Sequence, residues 1–251
     1  SRDINMRVKC DSVKLETQDY FDSQVVKSVD HVFTGFTVCP VDDIEVDRFY
    51  EDGDIFIEDD FPEELYPNQF IMLVSKSNDK KSAIAVYKNH SEPLSKVTNY
   101  KRAVWGIKPR NKEQNCALSL LMNPDIALVS LIGKAGSGKT LCAIAAGLQQ
   151  SLEETGKPNY SRLIVSRPVQ PLGKDIGFLP GTMEEKMAPW LKPIEDNLKF
   201  LMGNDQITLE MYMESGKIEI EALTYIRGRS ISNAFIIIDE AQNLTQHELK
   251  T

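Results

Sequence analysis

Residues 133–140, Gly-Lys-Ala-Gly-Ser-Gly-Lys-Thr, have the spacing of a loop that wraps a phosphate chain. The glycines Gly133, Gly136 and Gly138 leave room for successive backbone N–H groups to turn inward onto phosphate oxygens. Lys134, Ala135 and Ser137 contribute further backbone to the same cradle, and Leu141 follows it directly. Lys139 has the reach to meet the β- and γ-phosphates, and Thr140 offers a hydroxyl to Mg²⁺. A loop of this kind also needs an acid that orders the metal. Asp239 follows the apolar run Phe235–Ile238, and Glu240 comes next. Asp239 is the expected Mg²⁺ ligand, direct or through water, and Glu240 the carboxylate that polarises an attacking water. The plainer reading of Asp239 is a helix N-cap. A carboxylate at Glu240 is needed by a hydrolase and not by a nucleotide kinase, so the pattern points to ATP hydrolysis.

These residues need a scaffold that brings positions 133–140 and 239–240 together. Residues 126–132 (IALVSLI) form a continuous apolar run that predicts a strand covered on both faces, ending in the glycine loop. Apolar residues at 141, 144, 145, 148 and 152 predict a helix that the loop opens. RLIVS (162–166) and FIIID (235–239) predict two more buried strands, the second with all four apolar residues inside. KEQNCALSLLM (112–122) predicts an amphipathic helix. Strands alternating with helices imply an α/β fold with a parallel sheet, in which ligands bind at the carboxyl ends of the strands. FIMLVSK (70–76) and SAIAVYK (82–88), separated by SNDKK, predict a hairpin within a small β-rich module over 31–105.

Composition sets outer limits. The chain has 251 residues and a net charge of −8, with no apolar run near the ~20 residues of a membrane span. Residues 42–64 hold twelve carboxylates and one arginine, so the rest of the chain is mildly basic. That acidic stretch predicts a solvated linker or surface strand. Cys10, Cys39, Cys116 and Cys142 form no metal-binding pair, which argues against zinc and fits packing thiols in a reducing cytoplasm.

Asp239-Glu240-Ala241-Gln242-Asn243 resembles the DEAQ-type signature of superfamily 1 helicases, which implies a catalytic role for Gln242 beside Lys139 and Glu240. Residues 111–118, with Gln114, look like the glutamine motif of that superfamily, where the amide reads the adenine edge with one donor and one acceptor. Residues 165–198 and 221–251 resemble the PhoH-like ATPases of the phosphate-starvation-inducible type, densely over 106–251. Residues 1–10 resemble the last segment of a PIN-type ribonuclease domain, which gives an expected division into a PIN tail (1–30), the β-rich module (31–105) and a P-loop ATPase core (106–251). The resemblance implies ATP and Mg²⁺ as ligands, single-stranded RNA as a partner, RNA unwinding as a related activity and a ring-shaped homo-oligomer. Of the PIN acids only Asp3 has a match, so RNA cleavage is not expected. The family pattern continues past Thr251 with a γ-phosphate-sensing segment, so the chain is expected to bind ATP and turn it over poorly. Arg167, Lys174, Arg227 and Arg229 are candidates for RNA backbone or a neighbouring subunit's nucleotide, and Trp190 for stacking or packing. A regulatory ATP-binding module acting on protein partners is the alternative, and stimulation of ATP turnover by single-stranded RNA separates the two.

Overall fold

The computed structural model describes residues 35–53, 55–57, 61, 64–98, 103–152, 157–168, 183–226, 228–245 and 248. The PIN-like segment with Asp3, and the candidates Lys174 and Arg227, lie outside these residues. The chain divides into two compact units, Ser1–Ser95 and Lys96–Thr251.

In the first unit the expected hairpin is present. β2 (Phe70–Ser75) pairs antiparallel with β3 (Ser82–Val86), with Ile71 opposite Ala85. β1 (Phe36–Val41) lies parallel to β2 on its other side, and β4 (Ser95–Lys96) completes the order β1-β2-β3-β4. The acidic stretch departs from expectation. Asp43–Glu51 is a helix, α1, and Val46 and Phe49 bury in the core with Ile71, Leu73 and Ala85. The reason is local. The Glu45 carboxylate accepts from the Asp42 N–H at 2.9 Å at the helix entry, and the apolar residues three apart share one face. Acids at the first turn also suit the helix dipole.

In the second unit, β5 (Arg162–Arg167) is the central strand of a parallel sheet with order β6-β5-β7, where β6 is Ile218–Ala222 and β7 is Ala234–Ile238. The chain is thus α/β with a helix-flanked parallel sheet, as the sequence predicts; β6 is an addition to that reading. Helices α2 (Lys112–Leu121), α3 (Lys139–Leu152), α4 (Met183–Leu201) and α5 (Gln206–Glu214) surround it, and the short α6 (Leu223–Ile226) follows β6. Leu118, Ile144, Leu148, Leu163, Val165, Ile194, Leu198 and Ile218 form the core.

One strand expectation fails, and a second holds for the strand though not for its burial. Residues 126–132 form no strand, and Leu128 and Ile132 are 88% and 76% exposed; only Val129 and Leu131 pack against the core. In β7, Ile237 is buried while Ile236 and Ile238 are 46% and 42% exposed. Among the described residues the sheet stops at β7, so 126–132 has no ladder neighbour. In β7, Ile236 and Ile238 share the face opposite the buried Ile237.

α3 is held against the sheet with almost no clearance. A Cβ at Gly147 would lie 2.7 Å from Leu163 Cδ1 and 3.0 Å from Phe235 Cδ1. Gly147→Val should therefore cost about 1–3 kcal/mol of unfolding free energy, the usual range for overpacking a close-packed core. Denaturant unfolding of the variant reads this directly, and parent-like stability would show that the helix lifts freely.

Candidate nucleotide site

The phosphate loop runs from Gly133 into the first turn of α3. Gly136 and Gly138 have φ of +76° and +86°, a left-handed backbone that side-chain-bearing residues adopt only with strain. The loop is exposed over 133–137 and half-buried from Gly138 to Leu141. The Lys139 ammonium donates to the carbonyls of Gly133 (2.7 Å) and Lys134 (2.9 Å), so it spans the loop that it belongs to. A phosphate oxygen carrying charge is a stronger acceptor than either carbonyl and can take its place.

The two halves of the predicted site meet. The Thr140 hydroxyl donates to Asp239 Oδ1 at 2.9 Å. Asp239 is fixed from behind, because its backbone N–H continues the sheet ladder onto the Ser166 carbonyl at 2.8 Å. Glu240 sits next to it in the left-handed region, φ 55° and ψ 39°. A non-glycine residue there carries a cost of roughly 1–2 kcal/mol, and such positions gather at functional sites. The Gln242 amide donates to the Glu240 carboxylate from the 3₁₀ turn Ala241–Asn243. Gln242 therefore touches the very group expected to orient water.

Hydroxyl and carboxylate oxygens are hard donors that suit Mg²⁺, which binds through one or two carboxylates plus substrate phosphates and keeps several waters. Among the described residues there is no cluster of three His, Cys, Asp or Glu side chains able to hold a metal. Among the described residues, the donor set at this site is a single Asp beside a Thr, and it fits a nucleotide-borne Mg²⁺ rather than a cage made of protein alone.

Arg167, the last residue of β5, takes a place that its sequence position does not reveal. Its guanidinium is 3.8 Å from Asp239 Oδ2 and 3.7 Å from Glu240 Oε1, between the two acids. The parallel register of β5 and β7 brings it there. Arg229 is engaged elsewhere, paired with Glu219 at 3.1 Å and Glu221 at 2.6 Å, and Arg162 shares Glu219 at 2.8 Å. Trp190 is half-buried on α4. Cys116 and Cys142 are buried free thiols; burial, with Glu113 adding to it, pushes the Cys116 thiol up to about 12, and burial raises that of Cys142. Both stay protonated packing groups.

Gln114 reaches the phosphate loop. Its Nε2 donates to the Ser137 carbonyl at 3.0 Å, and its Oε1 accepts from the Arg110 N–H at 2.8 Å. Asn111 caps α2 by accepting from the Gln114 N–H at 2.8 Å. α2 is itself tied to α3, because the buried Gln150 donates from α3 to the Leu121 carbonyl at 2.7 Å. Sequence reasoning missed Arg110 and Asn111; the signal available was an Asn three residues before a Gln at a helix start.

A PhoH-like protein family profile matches residues 106–251. The chain belongs to the PhoH family. The family is generally of the P-loop ATPase type, in keeping with the loop and acids just described. Protein PhoH2 of Bacillus subtilis is 44% identical over 253 residues, covering all of this chain and 56% of that protein. Protein PhoH2 of Mycolicibacterium smegmatis is 34% identical over the whole chain, which covers 54% of it. A PhoH-like protein of Synechocystis is 43% identical over 119 residues, 47% of this chain and 34% of that protein. The chain thus spans about half the length of its full-coverage PhoH relatives. No described helix is long and apolar enough to cross a membrane.

Lys139→Ala removes the side-chain ammonium from the loop and should abolish detectable ATP binding at micromolar nucleotide. Calorimetric titration checks this, and unchanged affinity would move the nucleotide site elsewhere.

Proposed function

We propose that this PhoH-family chain binds ATP with Mg²⁺ at 133–141 and that the intact protein hydrolyses the γ-phosphate, coupled to single-stranded RNA. The observation that carries the reading is the 2.9 Å bond between Thr140 and Asp239, with Glu240 on the adjoining residue. In this reading the loop's N–H groups and Lys139 bind the phosphates, while Thr140 and Asp239 hold Mg²⁺. The bound ion supplies neutralisation of charge on the phosphate oxygens.

Glu240 orients water and accepts its proton. Its carboxylate is constrained on two sides, by the Gln242 amide and by the Arg167 guanidinium. One hydrogen bond from Gln242 and one ion pair with Arg167 at 3.7 Å restrict the rotation of that carboxylate. Gln242 thereby contributes to catalysis by holding the base. The coupling to RNA, and any unwinding or ring assembly, is supported by the helicase-type signature at 239–243 and by the family resemblance. A nuclease role is not proposed.

Glu240→Gln in the intact protein should bind ATP like the parent and turn it over at least ~100-fold more slowly, the scale for losing a positioned base. Phosphate release, measured with and without single-stranded RNA across a salt series, checks both halves. Stimulation that fades as salt rises is the expected RNA response. Parent-like turnover in the variant would place water activation elsewhere, and RNA-independent turnover would favour a regulatory module acting on protein partners.

A further inference from the structure

We infer that Gln114 is a positioning residue of the phosphate loop, setting the direction of a phosphate-binding N–H as well as standing where a base can meet it. The inference rests on the nucleotide-binding reading above and adds a role for the amide that needs no base.

The amide is held at both ends, by the Arg110 N–H at 2.8 Å and the Ser137 carbonyl at 3.0 Å. The Ser137 carbonyl and the Gly138 N–H belong to one peptide unit. In a planar trans peptide the oxygen and the hydrogen point in opposite directions. A donor that grips the Ser137 oxygen therefore aims the Gly138 N–H away from Gln114. That N–H lies at the heart of the loop, immediately before Lys139 and Thr140.

The flanking backbone makes such a grip necessary. Gly138 has positive φ and carries no side chain to restrict rotation of the Ser137–Gly138 peptide on that side. Gly138 also gives Gln114 its access, because a Cβ there would lie 3.0 Å from Nε2. The bond thus supplies from outside the rigidity that Gly138 lacks.

The amide has capacity to spare. A Gln side chain offers two N–H donors and two acceptor lone pairs, and the internal bonds use one of each. One donor and one acceptor are left for a base edge, so base contact and loop contact are compatible. Base recognition and phosphate recognition then share one rigid group, itself anchored by the Asn111 cap of α2.

The discriminating ligand has phosphates and no base. Affinities for Mg·tripolyphosphate, Mg·ATP and Mg·GTP are measured by calorimetry for the parent, Gln114→Ala, Gln114→Glu and Lys139→Ala. Gln114→Ala should weaken tripolyphosphate about threefold to tenfold, the worth of one net hydrogen bond, and ATP by at least as much. Gln114→Glu keeps the acceptor for Arg110 and sets a carboxylate against the Ser137 carbonyl, so its loss should be as large or larger. The Glu variant also serves if the Ala variant does not fold. Parent-like tripolyphosphate affinity in a folded Gln114 variant overturns the inference, whether or not ATP and GTP binding change. If Lys139→Ala leaves tripolyphosphate affinity intact, the nucleotide reading itself fails and the inference falls with it, an outcome distinct from the first.

Discussion

The Thr140–Asp239 hydrogen bond joins residues 99 positions apart, and the site exists only because that span closes to 2.9 Å. Neither residue can adjust far. Thr140 lies in the first turn of α3, so it moves only if the helix moves. Asp239 extends β7 by one ladder bond onto Ser166, so it moves only if the sheet edge moves. The separation of the two side chains is set by how closely α3 packs on β5 and β7. Gly147 sets that spacing, because its missing Cβ lets the helix backbone approach Leu163 and Phe235. A packing contact in the core thus controls a polar contact in the site. Close-packed interiors transmit such displacements rather than absorbing them.

Around that bond, the functional groups are already engaged with one another. Lys139 is bonded to two loop carbonyls, Thr140 to Asp239, Glu240 to Gln242, and Arg167 stands between the two acids. Ligand binding to such a site exchanges internal partners for phosphate oxygens. The net gain from each exchange is modest, because hydrogen bonds are lost as others form. Selectivity for a highly charged ligand follows at Lys139, since an anionic phosphate oxygen is a stronger partner for its ammonium than the neutral carbonyls it displaces. Arg167 gives the acids a positive neighbour in the protein itself, which limits repulsion between adjacent carboxylates. The left-handed backbone at Glu240 directs the chain into the 3₁₀ turn that carries Gln242 back onto it.

The surrounding ion pairs divide by purpose. Arg162 and Arg229 join Glu219 and Glu221 across β5, β6 and the approach to β7, holding strands whose register places Arg167 and Asp239. Arg229 belongs to the frame of the sheet. Two arginines of similar sequence context therefore have different surroundings, one facing the site's acids and one tied to acids of the sheet.

The sequence by itself determined whatever depends on neighbours a few residues apart. The phosphate loop, the helix after it, the helix of Gln114, the hairpin of the first unit and the strands β5 and β7 were all legible, because glycine spacing and apolar periodicity act locally. The family was legible for the same reason, through motifs that recur in order. What only the tertiary structure decided are relations between distant segments. Residues 126–132 have the composition of a buried strand, yet a strand requires a ladder partner, and composition does not say whether one is adjacent. Residues 42–64 look like a solvated acidic stretch, yet Val46 and Phe49 turn part of it into a core helix once a sheet lies beneath them. The partners of Arg167, Arg229 and Gln114 were equally hidden, since a side chain's charge or amide is written in the sequence while the atom it meets is set by strand register and helix packing.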